Sequence, residues 1–184
     1  NESLIMKHLM PSNILSYFPA DIYWTKIHNV NFFCTIDTRL RSFYFKIFHN
    51  AIAFNSFLFK IKRRDSPNCN FCNILPETIV HILCDCKIVS PIWKKIVDCI
   101  RCKHDPNFSL SSFSKLFGVV NDKYLSFLFL TLQYFIHICR FKDEKPHYDS
   151  YLSYLSTVNK TEYYLAKQKG KLPVHLKKWR FDLS

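Results

Sequence analysis

The clearest hydrophobic rhythm begins near Asp37, where Ile36, Leu40, Phe43, Ile47 and Phe48 recur at helical spacing and Arg39, Arg41 and Lys46 fall elsewhere on the turn. Asp37 or Thr38 offers the side-chain acceptor that the open N–H groups of such a helix need. A shorter helix is expected from about Asn55, with Phe57, Leu58 and Ile61 on its apolar face, running into the basic cluster Lys60, Lys62, Arg63 and Arg64. Pro76 and Glu77 then read as the first turn of another short helix, a proline where no N–H is missed and an acid at the positive end, with His81 following on it. Ser90 and Pro91 read as cap and first residue of a helix that buries Ile92, Trp93, Ile96, Val97 and Ile100 and keeps Lys94, Lys95 and Arg101 outside.

A turn-rich link over residues 103–112 precedes a stretch, 124–141, that is apolar nearly all round. Its continuous apolar part is about fifteen residues, short of the roughly twenty a bilayer span needs, and it contains Gln133 and His137. It is therefore expected as the buried central helix of a C-terminal helical half, with no membrane partner. Tyr148, Tyr151, Leu152, Leu155 and Val158 mark one more amphipathic helix. Residues 160–180 are basic with Tyr163, Tyr164 and Trp179 interleaved, and residues 1–34, with Pro11, Pro19 and Trp24, show no sustained period.

Composition narrows the fold. With 48% hydrophobic residues the chain has enough apolar surface to fold, and two Gly against eighteen Phe and ten Tyr argue against phosphate-cradling loops, a dinucleotide fold or a turn-rich sandwich. The chain begins at Asn1, not Met, so a piece of a longer polypeptide is expected. No carboxylate pair, triad or Asp-Asp step is present; Asp85, Asp98 and Asp149 are isolated, and the chain is not expected to be an enzyme.

Candidate chemistry concentrates at Cys69, Cys72, His81 and Cys86. A cysteine pair separated by two residues places both sulfurs on one side of a tight turn, and a His and a Cys from the next element complete a tetrahedron for one structural zinc with no open position. Cys84 competes with Cys86, because it lies three residues beyond His81 on the expected helix. Cys99 and Cys102, near His104, form a second pair, but Cys99 falls on the apolar face of its helix and core packing is the better reading; Cys34 and Cys139 read as small core residues. Eight Cys without a signal peptide indicate a reducing compartment. The fold expected is all-α: an irregular helical domain over 35–102 with a CCHC-type zinc knuckle between helices, then a C-terminal helical segment, 103–184, with 1–34 as linker or the end of an upstream region.

The net charge of +12 points to an anionic partner, RNA or DNA, over an ordinary solvated surface. Lys60, Lys62, Arg63, Arg64, Lys94 and Lys95 are the first candidates for phosphate contacts, and Lys167, Lys169, Lys171, Lys177, Lys178 and Arg180 in the tail the second, with the interleaved aromatics available to stack on unpaired bases.

Residues 24–93 resemble the cysteine-rich zinc-binding region that follows the reverse transcriptase domain in LINE-type, non-LTR retrotransposon proteins. The features that carry the resemblance are Trp24-Thr-Lys-Ile, the helix LRSFYFKIFHNAIAF, the Cys69–Cys72 pair, Glu77-Thr78 before His81, Cys86 five residues after it, and Ile92-Trp93. Beyond them, LFGVV, the apolar helix and Thr161-Glu-Tyr-Tyr164 with Trp179 look like the C-terminal segment of vertebrate-type LINE proteins. The resemblance implies Cys86 over Cys84 as the last ligand. It also implies a parent protein with endonuclease and polymerase domains that copies element RNA at nicked target DNA, an upstream reverse transcriptase domain as partner, and an intracellular ribonucleoprotein found in cytoplasm and nucleus. The knuckle lacks the basic and glycine residues of retroviral nucleocapsid knuckles, so the resemblance does not carry base clamping over to it.

Overall fold

Helix α1, Thr38–Phe48, starts where Asp37 stands extended and its carboxylate accepts from the Arg39 N–H at 2.8 Å. This satisfies one of the donors left open at a helix start. The buried face is Leu40, Phe43, Tyr44, Ile47 and Phe48. Ile36, expected on that face, precedes the cap and is 60% exposed. The computed structural model describes residues 27, 29, 33–118 and 122–179, so most of the expected 1–34 linker lies outside the described residues.

Helix α2, Asn55–Lys60, departs from its expected pattern. Phe57 and Ile61 are 53% and 48% exposed, and its buried residue is Asn55. The helix is held at its first turn by polar bonds and not by an apolar face.

Helix α3, Ser90–Lys103, buries Ile92, Trp93, Ile96 and Ile100 and leaves Lys94, Lys95 and Arg101 outside, as its periodicity predicts, with Val97 half-buried. Ser90 is not its cap. The cap position falls to Val89, which makes no side-chain bond there, and the N–H groups of Val89 and Ser90 both donate to the Cys86 carbonyl at 2.8 Å. Helix α4, Ser112–Phe117, has no counterpart among the expected elements; Ser111 accepts from the Ser114 N–H at 3.1 Å, and Gly118 ends the helix at φ 77°, where a side chain would strain the backbone.

Helix α5, Lys123–Lys142, is buried on nearly every side and packs against α1, α4, the turn 81–85, and α6, Tyr148–Gln168; the last helix, α7, Leu172–Lys178, packs on α6. Asp122 opens α5 by accepting from the N–H groups of Tyr124 and Leu125. Gln133 is not an interruption of its apolar surface, because its amide donates to the carbonyls of Lys115 and Leu116 at the open end of α4. By length and composition α5 does reach the size of a membrane span, contrary to the shorter apolar run counted in the sequence; 78% of its apolar window is nevertheless buried inside the protein.

All the named elements among the described residues are helical, which bears out the all-α class. The buried side chains form one cluster that includes Ile47 and Trp93 before residue 103 and Phe117, Phe129 and Leu155 after it. A T-shaped Trp93–Phe129 contact, 5.3 Å between centroids, crosses the expected 102–103 boundary. Such a pair contributes about 0.5–1.5 kcal/mol beyond area burial.

His137, on α5, lies 4.8 Å from the Phe43 ring and 4.7 Å from the Phe141 ring. Burial, with the charges of Arg140 and Lys46, lowers its pKa from 6.5 to about 4. The folded state therefore binds this proton more weakly than the unfolded chain, and the stability contributed is complete above pH 6.5 and lost as pH falls toward 4. The melting temperature of the wild-type protein is expected to fall more steeply across that window than that of His137→Phe. Other groups protonate alike in both, so parallel slopes in thermal melts would reject this role.

Candidate metal centre

The first half of the centre is a reversed loop. Asn68 pairs with Pro76 as an isolated antiparallel bridge, the Cys69 N–H donates to the Leu75 carbonyl at 2.9 Å, and the Asn73 N–H donates to the Cys69 carbonyl at 2.8 Å. Asn73 turns the chain back at φ 55°, a left-handed conformation that asparagine tolerates better than most residues. Cys69 and Cys72 thereby share one side of the loop.

The second half is not an ordinary helical turn. Thr78 Oγ1 accepts from the His81 N–H at 3.1 Å, and residues His81–Asp85 form a π-helical turn closed by the Cys86 N–H donating to the His81 carbonyl at 2.7 Å. In an α-helix the residue three beyond His81 would lie about 60° around the axis from it and the residue five beyond about 140°, a geometry that favours Cys84. Closing the ring at five residues widens the turn and brings Cys86 back to the histidine's side. Cys84 instead turns away: it is fully buried, its Sγ lies 3.9 Å from the Ser112 carbonyl, and burial pushes its thiol well above the ordinary range. Trp93 braces the turn from α3, its indole N–H donating to the Leu83 carbonyl at 2.8 Å.

The ligand atoms of Cys69, Cys72, His81 and Cys86 all lie within 4.8 Å of one another, three of the residues buried and Cys72 half-buried. A tetrahedral zinc at about 2.3 Å from sulfur and about 2.0 Å from nitrogen separates two sulfurs by about 3.8 Å and a sulfur from a nitrogen by about 3.5 Å. Cys69 Sγ and Cys86 Sγ are 3.9 Å apart, and Cys72 Sγ and His81 Nε2 are 3.3 Å apart. The donor set fits one zinc ion. Bound there, zinc would supply a four-point crosslink between loop and turn, with no open position for a reacting water. Among the described residues no other group of three or more possible ligands converges, and Cys99, Cys102 and His104 do not come together as a site.

Glu77 holds the loop from behind, and in this it differs from its expected place at a helix start. Its carboxylate is fully buried. Oε1 accepts from the Asn55 N–H at 3.0 Å and from Arg140 Nε at 2.8 Å, and Oε2 accepts from the Asn70 N–H at 3.1 Å. Its carbonyl accepts from the N–H and hydroxyl of Ser56. Glu77 thus serves the open N-terminal donors of α2 and pairs with Arg140 on α5, 63 residues away. The only sequence signal for the pair was an arginine inside the apolar run of α5, and the residue that answers it stands too far along the chain for periodicity to connect them.

Residues 16–93 match the protein family described as zinc-binding in reverse transcriptase. This stretch is a reverse transcriptase-associated zinc-binding region. It takes in the whole knuckle and ends at Trp93, the residue that braces the π turn; α4 to α7 lie beyond the match. No curated protein and no solved structure matches the chain.

The basic candidates fall into separate groups, the first inside the matched stretch and the others after it. Lys60, Lys62, Arg63 and Arg64 are exposed where α2 runs out toward the knuckle, with Lys62 at φ 56°. Lys94 and Lys95 are exposed on the first turns of α3, and Lys167, Lys169, Lys171 and Lys177 are exposed on the last two helices and the turn between them. None of these ten has an acidic partner among the described residues. Lys178 is different: its Nζ contacts both Glu162 oxygens at 2.9 and 2.8 Å and sits 3.4 Å from the Phe127 ring centroid, so its charge is used inside the fold. Trp179, expected as a stacking residue, packs on Phe127 and donates to Glu162, whereas Tyr163 and Tyr164 are 42% and 61% exposed. Arg180 lies outside the described residues.

Metal analysis of the purified protein is expected to give one zinc per chain. Cys69→Ser and Cys86→Ser should each lose it, whereas Cys84→Ser and Cys102→Ser should keep it; retention in Cys86→Ser with loss in Cys84→Ser would overturn the role given to the π turn. Breaking the buried ion pair by Glu77→Gln or Arg140→Met is expected to lower the unfolding free energy by about 3–5 kcal/mol in urea titrations of the zinc-loaded protein. The double substitution should cost less than the sum of the two.

Proposed function

We propose that this protein is the nucleic-acid-binding accessory end of a LINE-type, non-LTR retrotransposon reverse transcriptase, which holds element RNA or target DNA during target-primed reverse transcription. The observation that carries this reading is the set of ten exposed Lys and Arg residues without acidic partners among the described residues, six of which lie on α2, the turn after it and α3, before and after the four metal ligands along the chain. Phosphates neutralised by such side chains release counterions, and this supplies affinity without base recognition. The zinc in this reading touches no substrate. It fixes the loop, the π turn and the start of α3, and so the positions from which Lys60 to Arg64 and Lys94 to Lys95 reach out. The ribonucleoprotein formed would be cytoplasmic and nuclear, with the polymerase body as the second partner.

A docking role without nucleic acid is the competing reading, and one observation favours it. Phe57, Phe59, Ile61, Ile74 and Leu75, on α2 and the knuckle loop, are 45–60% exposed, an apolar set that a protein partner could cover.

Salt dependence separates the two. Binding to a single-stranded RNA should weaken steeply from low to moderate salt, and replacing Lys60, Lys62, Arg63 and Arg64 together by Gln should lower the slope of log affinity against log salt by roughly 0.7 for each phosphate no longer neutralised. Absence of RNA and DNA binding at low salt, with zinc bound, would leave the docking reading.

A further inference from the structure

Between the knuckle loop and the C-terminal end of α5 lies a polar cleft of about 450 Å³ lined by Arg64, Asn70, Asn73, Arg140, Phe141 and Asp143. Its hydrogen-bonding character follows from its neighbours. Asn55 Nδ2 donates to the Asn68 carbonyl at 2.8 Å, which can only accept, so this end of the Asn55 amide is nitrogen. The same Nδ2 donates to Asn70 Oδ1 at 2.6 Å, and the Asn70 main-chain N–H is fixed on Glu77. Asn70 is therefore held with its oxygen on Asn55, which leaves its NH2 group for the cleft. The Asn70 NH2, the Arg64 guanidinium and the Asp143 carboxylate have no hydrogen-bond or ion-pair partner among the described residues. Asp143 is held in position by a left-handed backbone, φ 56°, at the end of α5.

Phe141 stands at the rim of this polar cleft, with most of its exposed ring surface outside it. It is 73% exposed, an unusual cost for a ring on a helix otherwise buried, yet it is not loose: His137 meets it edge-on at 4.7 Å and the Arg140 guanidinium lies 5.7 Å from its centroid. Arg140 is itself neutralised by Glu77. The site thus combines polar groups within the cleft, donors from Asn70 and Arg64 and one carboxylate acceptor, with the exposed Phe141 ring at its rim. A bare phosphate would meet the Asp143 charge and gain nothing from the ring. Among the nucleobases, guanine alone offers two adjacent donors, N1–H and N2–H2, for a carboxylate, beside O6 and N7 acceptors for amide and guanidinium donors.

We infer that this cleft takes one unpaired guanine of a single-stranded nucleic acid, stacked on Phe141, with its donor edge on Asp143 and its acceptor edge on Asn70 and Arg64. This rests on the nucleic-acid reading above and adds base preference to it. The test uses the zinc-loaded full chain and fluorescence anisotropy with labelled uridine tracts carrying one central G, A or C, with thymidine tracts carrying dG, dA or dC to tell RNA from DNA. The G-containing tract is expected to bind about ten-fold more tightly than the A-containing one. Asp143→Asn should bring that ratio close to one, and Phe141→Leu should weaken the G-containing tract by about five-fold or more; both side chains are exposed, and unchanged zinc content checks that the variants fold. Salt-dependent binding with equal affinity for all tracts would overturn the guanine cleft and leave the electrostatic reading standing, as would a G preference that survives Asp143→Asn. No binding to any tract would overturn both.

Discussion

A single buried carboxylate organises the middle of this molecule. Glu77 has no exposed surface, and its two oxygens meet the first N–H of α2, the Asn70 N–H in the knuckle loop and the Arg140 side chain on α5. Removing a charge from water costs several kcal/mol unless its partners are complete. Those partners come from three parts of the chain, so the carboxylate is satisfied only when all three are in place. The metal joins the loop to the π turn; Glu77 joins the same loop to the central helix. The knuckle is thus fixed on two sides by interactions of different physical kinds, one coordinate and one electrostatic.

Much of this was legible along the chain, and the parts that were not share a cause. Helices α1 and α3 followed from apolar spacing, because each buries one face against the core, and α5 from an apolar run that is buried on nearly every side. The Cys69 and Cys72 pair followed from its spacing. The choice between Cys84 and Cys86 did not follow from helical periodicity, since the relevant turn is π-helical, and resemblance supplied the ligand that the geometry later placed. Helix α2 misled because Phe57 and Ile61 sit at helical spacing without a core to face, while its anchor is the polar Asn55. Glu77 and Arg140 are connected only in three dimensions. Local pattern reads what local burial enforces and is silent on pairs that the fold assembles.

Charge counting had the same weakness at the tail. Lys178 and Trp179 look like an exposed basic and aromatic step, but both converge on Glu162 and on the Phe127 ring, which ties α7 to α6 and α5. Burial is the first cause lowering the Lys178 pKa, with Glu162 opposing it. The exposed basic surface is smaller than composition implies, and much of it lies close along the chain to the four metal ligands, on α2, the turn after it and the start of α3.

Cys86 belongs to two structures at once, with its sulfur in the metal cluster and its carbonyl receiving the first two N–H bonds of α3. Helix α3 is 14 residues long, so it behaves as a lever of about 21 Å pivoted at that cysteine. A rotation of about 10° at the pivot would carry the far end of such a lever by about 4 Å, a displacement longer than any hydrogen bond. The position of Lys103 at the helix's end is in this sense sensitive to the angle at which Cys86 hands the chain to α3, as well as to the core face that α3 buries.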